Sequence, residues 1–372
     1  MSETGVNKEN TSNGFLLLSR YRGAIMGMAA IMIFVFHAWL AVIPESSSSV
    51  ISFFHNAEYF IRKVSFFGVD IFLLMSGMGL TYAIKKDTLP EFYYRRIRRV
   101  YLPYLVSLTA SAFIYRWSFL TFLGHASCYT FYAEDVNAYC WFVPAIITLY
   151  VFFPLYYKAY GKAKNKLLFT ALAILVWLLL TLLSDGRMRF DLFGFTNRIP
   201  VFLLGILFGH LAQSEKPIVF KAWHYLLLLV TLAAGLLLYY VYTFLDLKLI
   251  LPDGRLFVSN ILMSSGLSLL VAKLLDILER RVPVLGRIIN KVLGIWGKMS
   301  LEMYLVYVCL LIPFFGKFVM ALVDLGLKNH PLPVNLIVFA VSSAIAWTAA
   351  LAFSYFWKLV ELPFKRKKAE GK

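Results

Sequence analysis

Long apolar stretches alternate with short polar ones along almost the whole chain. They fall near 23–43, 65–84, 100–120, 139–157, 167–184, 198–213, 223–244, 256–278, 300–322 and 333–357. Most approach the ~20 residues that a helix rising ~1.5 Å per residue needs to cross a hydrocarbon layer, and only the sixth is marginal. The pattern predicts an all-α fold, a polytopic bundle of about ten transmembrane helices. Neither a heptad nor a solenoid period interrupts it, and the only low-complexity patch is Ser46–Ser49. The first 20 residues are polar and lack an apolar core ahead of a small-residue cleavage site, so the first helix is expected to act as its own signal anchor. The expected organisation is a polar cytosolic segment 1–22, one membrane domain 23–358 and a basic cytosolic tail 359–372.

Composition agrees. Charged residues make up 15% of the 372 positions against 60% hydrophobic, at a mean hydropathy of +0.72. That is too little charge to tile a soluble exterior, for which about 25% is usual. The net charge of +17 raises the question of nucleic acid. The positions of the charges answer it. With a cytosolic N-terminus, 25 Lys and Arg fall on inner segments, densest at Lys85, Lys86 and Arg95–Arg99 and in the tail. Only 8 fall on outer ones: Arg62, Lys63, Arg187, Arg189, Arg198, Lys248, Arg255 and Lys328. This asymmetry is the positive-inside signal of an N-in, C-in multi-pass protein of the inner or plasma membrane, with membrane lipids as partners and no nucleic acid.

Three cysteines cannot build a disulfide framework. Cys128 and Cys140 both fall on the outer side, where an oxidising compartment would permit a bridge, and Cys309 reads as packing inside the ninth span. The six histidines sit on six different segments, so no metal-ligand spacing exists and no metal is expected.

Ionisable residues are costly inside a bilayer and therefore informative. His37 closes the run Met26–His37, and Asp70 lies in Gly68-Val69-Asp70-Ile71-Phe72 of the second span. Both are expected near the outer ends of adjacent, oppositely directed helices, where a carboxylate beside an imidazole would fix its tautomer and orient a general base. A neutral histidine on a backbone carbonyl, with Asp70 at a helix terminus, accounts for the two residues equally well. Likewise Arg95, Arg96, Arg98 and Arg99 serve either as an anchor on anionic lipid or as a grip on the phosphates of a soluble donor. In a regular helix Arg95, Arg98 and Arg99 would share one face and Arg96 would point elsewhere.

Taken in order, these segments resemble acyltransferase family 3, integral membrane proteins that O-acylate sugars and envelope polysaccharides. The resemblance is carried by Met26–His37, by Gly68–Gly77 (Gly-Val-Asp-x-Phe-x-x-x-Ser-Gly) and by Arg95–Pro103. It continues through Trp141 with Tyr150 and Pro154, Arg198–Gly205, Gly297–Leu305 and Glu361–Phe364. The chain departs from the family pattern in three places. Met26 stands where an arginine is common, with Arg22 about 60° from the face of His37 as a substitute. Ile146 and Ile147 stand where many members carry two glutamates, and Tyr307 where many carry a histidine.

The resemblance implies His37 as the catalytic residue, Asp70 orienting it, and acetyl-CoA or another acyl-CoA as a cytosolic donor substrate, with no permanently bound cofactor. Arg22, Arg95, Arg98 and Arg99 would hold the donor, and Trp141 and Arg198 a sugar or polysaccharide acceptor. His37 would deprotonate the acceptor hydroxyl or carry the acyl group as an acyl-imidazole. The rival class is a polysaccharide or small-molecule exporter, for which matching broken helices in two repeated halves are the usual sign; no such internal match is present.

Overall fold

The computed structural model describes residues 14–38, 49–133, 140–183, 194–245, 256–311 and 331–370. In chain order its helices are α1 (Gly14–Arg20), α2 (Arg22–Ala38), α3 (Ser49–Val64), α4 (Gly68–Ala83), α5 (Leu89–Arg96), α6 (Leu102–Ile114), α7 (Phe119–Ala126), α8 (Tyr129–Ala133) and α9 (Phe142–Lys162). Then follow α10 (Lys166–Leu183), α11 (Ile199–Ala212), α12 (Ala222–Phe244), α13 (Phe257–Arg281), α14 (Pro283–Lys298), α15 (Ser300–Met303) and α16 (Pro331–Glu370). Two π-helical turns, Ile97–Tyr101 and Tyr304–Leu311, join α5 to α6 and follow α15. No strand occurs among the described residues.

Local chemistry explains several of the boundaries. Thr88 and Glu91 form the start of α5, with the Thr88 amide and hydroxyl both donating to Glu91 Oε2 at 3.1 and 3.0 Å. Ser118 accepts from the Thr121 amide to start α7, and Asn165 from the Leu168 amide to start α10. Pro103, Pro200 and Pro283 sit in the first turns of α6, α11 and α14, where a missing N–H costs nothing. At the end of α9, Lys166 Nζ donates to the carbonyls of Tyr160, Gly161 and Ala163, satisfying acceptors that the helix leaves open.

Seven helices are long and apolar enough to cross a membrane, or eight if α1 and α2, bent by 72° at Tyr21, make one span. The protein is thus an all-α, multi-pass membrane bundle. Two of the ten expected runs are absent from that set. The third opens on the π turn and ends at Ile114, before a turn with Arg116 at φ 53, which leaves α6 short; the ninth opens with α15 and the second π turn and passes into residues outside those described. The second span is longer than its apolar core suggests and starts at Asn56, so Arg62 and Lys63, read as outer-loop residues, belong to a membrane-length helix.

The chain divides into two compact units. One comprises Met1–Ala29, Phe67–Arg95 and Pro144–Gly297; the other Ala30–Phe66, Arg96–Val143 and Lys298–Lys372. In the first, α4 and α11 approach closely because Gly77, Gly205 and Gly209 leave room for the partner's backbone: a Cβ on Gly205 would overlap the Leu74 carbonyl, and one on Gly77 the Phe202 carbonyl. Gly27 does the same for α2 against the Leu293 carbonyl of α14, and Gly297 of α14 for the Gly23 carbonyl of α2. The α11 span is 67% buried, whereas those of α10 and α12 are 17% and 11% buried, which makes α11 central and leaves the other two facing lipid. A polar lock ties α1 to α13: Tyr21 donates to Glu279 Oε2 at 2.7 Å, Arg20 pairs with the same oxygen at 3.0 Å, and buried Asp276 is met by Arg280 at 2.9 Å and Lys273 at 3.4 Å. An aromatic column, Phe92 on Phe153 on Phe202, joins α5, α9 and α11.

In the second unit the Ser107 hydroxyl donates to the Leu305 carbonyl at 3.3 Å, tying α6 to the second π turn. Tyr101 and Tyr104 hold the end of α7 through the Ala126 and His125 carbonyls. Asn335 of α16 donates to Glu58 of α3 at 2.9 Å. Phe34 of α2 lies on the Tyr307 ring, centroids 4.2 Å apart.

The expected Cys128–Cys140 bridge is not formed: Cys128 is a free thiol. Position on one side of a membrane says nothing about whether two Cβ vectors face each other. Cys128 sits at the α7–α8 corner with φ 62, its half-buried thiol pushed up to about 11 by desolvation. The Cys309 side chain lies outside the described residues.

Candidate active site

His37 is the penultimate residue of α2, a helix without another ionisable side chain after Arg22. Its ring meets Phe36 edge-on at 5.0 Å, and Phe36 in turn packs toward Phe66. The charge beside it is Arg62. Arg62 Nε donates to the Phe36 carbonyl at 3.2 Å, capping the last turn of α2 from α3. Phe34, Tyr307 and Phe339 wall the preceding turn of α2, with Tyr307 buried on Phe34. The result is an imidazole at a helix end, in apolar and aromatic surroundings, with a guanidinium as its electrostatic neighbour. Apolar surroundings of this kind strengthen any polar contact made in them.

Asp70 is completely buried in the first turn of α4, and its partner is Arg198, at the N-terminal end of α11, with Arg198 Nε 3.3 Å from Asp70 Oδ2. Arg198 also donates to the Gly194 carbonyl. The glycine seam between α4 and α11 brings the two helices close enough for this pair. The structure therefore gives each of the two ionisable residues singled out inside the membrane an arginine: Arg62 for His37, Arg198 for Asp70.

The other candidates are distributed. Arg22 opens α2, and its guanidinium lies over Gly79 of α4, where an added Cβ would come within 3.0 Å of Nη2. Arg95 is exposed and pairs with buried Asp87 at 3.1 Å. Arg98 and Arg99 lie on the π turn, so the α-helical spacing from which a shared face with Arg95 was counted does not continue through them. Arg99 acts electrostatically on Glu302 of α15. Trp141 sits in the turn before α9, edge-on to Phe142, which packs against Tyr304 of the Gly297–Leu305 segment. The remaining described histidines have structural partners: His125 with Thr130 and Trp117, His210 with Tyr160, His224 with the Lys221 amide. His330 and the side chains of His55 and Glu361 lie outside what the structure describes. Among the described residues no group of three or more His, Cys, Asp or Glu could hold a metal ion.

Sequence reasoning missed Arg62 and the Asp70–Arg198 link. The first carried a readable signal: Glu58 and Arg62 lie four apart in an amphipathic stretch continuous with the second apolar run. The second carried none, since its partners belong to different spans.

Residues 25–352 match the family model described as an acyltransferase domain. No curated protein and no solved structure matches the chain.

Proposed function

We propose, from the premise that the chain belongs to acyltransferase family 3, that this membrane enzyme moves an acyl group, acetyl in the first instance, from acyl-CoA to a hydroxyl of a sugar or envelope polysaccharide. The observation that carries the reading is His37 at the end of an apolar helix inside a family match that runs through nearly all the spans. A thioester is already activated, so the protein has to align the reactants, keep water out and move one proton. His37 takes the acceptor's hydroxyl proton, or accepts the acyl group first and passes it on. Arg22, Arg95, Arg98 and Arg99 bind donor phosphates; Arg95 exchanges its contact with Asp87 for one with the donor. Trp141 offers an aromatic face to a sugar ring. Asp70 enters through Arg198: the pair fixes the guanidinium that faces the acceptor.

Mass spectrometry of envelope glycans tests this, comparing cells that carry the gene, lack it or carry His37→Ala. An ester-linked acyl increment present only with the wild-type gene is expected, with His37→Ala inserted normally and its acylation reduced at least ~10²-fold. Wild-type ester levels in that variant would turn the reading toward an exporter or an anchor.

A further inference from the structure

Arg62 lies within the Asn56–Ala83 span and is half-buried. One of its donors, Nε, is spent on the Phe36 carbonyl, one residue before His37. Glu58, one turn earlier on α3, accepts from Asn335. Among the described residues no carboxylate lies within ion-pair distance of Arg62. A guanidinium in a membrane span without a counter-charge is costly and marks a place where an anion arrives. Capping α2 explains Nε alone. It leaves unexplained why the cap is an arginine, whose planar fork keeps further N–H donors beside the imidazole.

We propose that Arg62 is a catalytic residue of the acyl transfer, its terminal N–H groups holding the thioester carbonyl oxygen as it becomes an oxyanion. The inference rests on the proposed role of His37. The acceptor oxygen attacks the carbonyl carbon, the C=O π pair moves onto the oxygen facing Arg62, and the hydroxyl proton passes to the His37 ring. On collapse the C–S bond breaks with its electron pair on sulfur, and the thiolate takes the proton back from His37. Ester and free thiol are the products, and the imidazole is neutral again. If the acyl group passes through His37 instead, the same carbon goes through the same kind of oxyanion, so the assignment is indifferent to the route.

The test uses the full-length protein in lipid nanodiscs with radiolabelled acetyl-CoA and envelope glycan from cells lacking the gene, and reads kcat, both KM values and melting temperature for Arg62→Gln, Arg62→Lys and His37→Ala. The expected result is a ~10²–10³-fold loss of kcat in Arg62→Gln at nearly unchanged KM for acetyl-CoA. Partial recovery is expected in Arg62→Lys, which keeps the charge and loses the fork. Full kcat in Arg62→Gln beside an inactive His37→Ala overturns the inference and leaves the acyltransferase reading standing. A rise in glycan KM alone also overturns it, making Arg62 an acceptor anchor. Activity in His37→Ala defeats the His37 role and the inference with it. If Arg62→Gln fails to insert, Arg62→Lys decides: full kcat marks a cap, reduced kcat at parental melting temperature supports the oxyanion role.

Discussion

At the scale of single residues, the Asp70–Arg198 pair is the most consequential contact. Both side chains are buried, so each is tolerable only while the other is present. Asp70→Ala leaves a buried guanidinium without its carboxylate and should lower stability by about 3–5 kcal/mol. The double variant Asp70→Ala/Arg198→Met removes both charges and should recover much of that loss. Melting temperatures of the three proteins in one detergent check this; a double variant less stable than Asp70→Ala would mean that Arg198 acts mainly through the Gly194 carbonyl. Activity should stay low in the double variant if the pair serves the acceptor. Neither partner could be matched to the other by reading the chain, because charge pairing across spans has no local periodicity. Asp70 itself was legible, since an acid in an apolar run is costly and stands out.

At the scale of elements, close helix approach is set by where a Cβ has no room. In the α4–α11 seam, Gly205→Ala must push against the backbone of Leu74, which cannot yield as a flexible side chain would. A loss of about 1–3 kcal/mol is expected. Gly161, near the end of α9, has nothing within 4 Å of its added Cβ. Gly161→Ala should be neutral or stabilise by up to about 1 kcal/mol through the lower entropy of the unfolded chain. Thermal unfolding of both in the same membrane mimetic makes the comparison, and equal effects would show that the seam relaxes freely. The sequence pattern placed Gly205 inside a span and left Gly161 just past the end of one, and it could not distinguish a seam glycine from an open one, because the difference lies in the neighbouring helix.

At the scale of the whole molecule, continuous hydrophobicity made the membrane class legible, and the motif order made the family legible. The extent of the second span was not, because its amphipathic start, with Glu58, Arg62 and Lys63, reads as loop. The basic asymmetry predicts the side on which each loop lies, with both termini in the cytosol. Introduced cysteines at 85–99 should therefore resist membrane-impermeant thiol reagents in intact cells and react after permeabilisation. Native Cys128 adds little background near neutral pH, since its raised titration point keeps it a thiol and thiolate is the reactive form. Labelling of 85–99 from outside would reverse the whole arrangement. The two π turns, finally, bear on how the chain is compared with its relatives. Each departs from α-helical spacing in the way that an insertion accommodated inside a helix would. Alignments of family members should accordingly open single-residue gaps within 97–101 and 304–311, places where helices are ordinarily kept free of gaps. A relative lacking the extra residue at 97–101 would present its arginines in a different rotation from this protein, and transferring site assignments between the two by column alone would misplace Arg98 and Arg99.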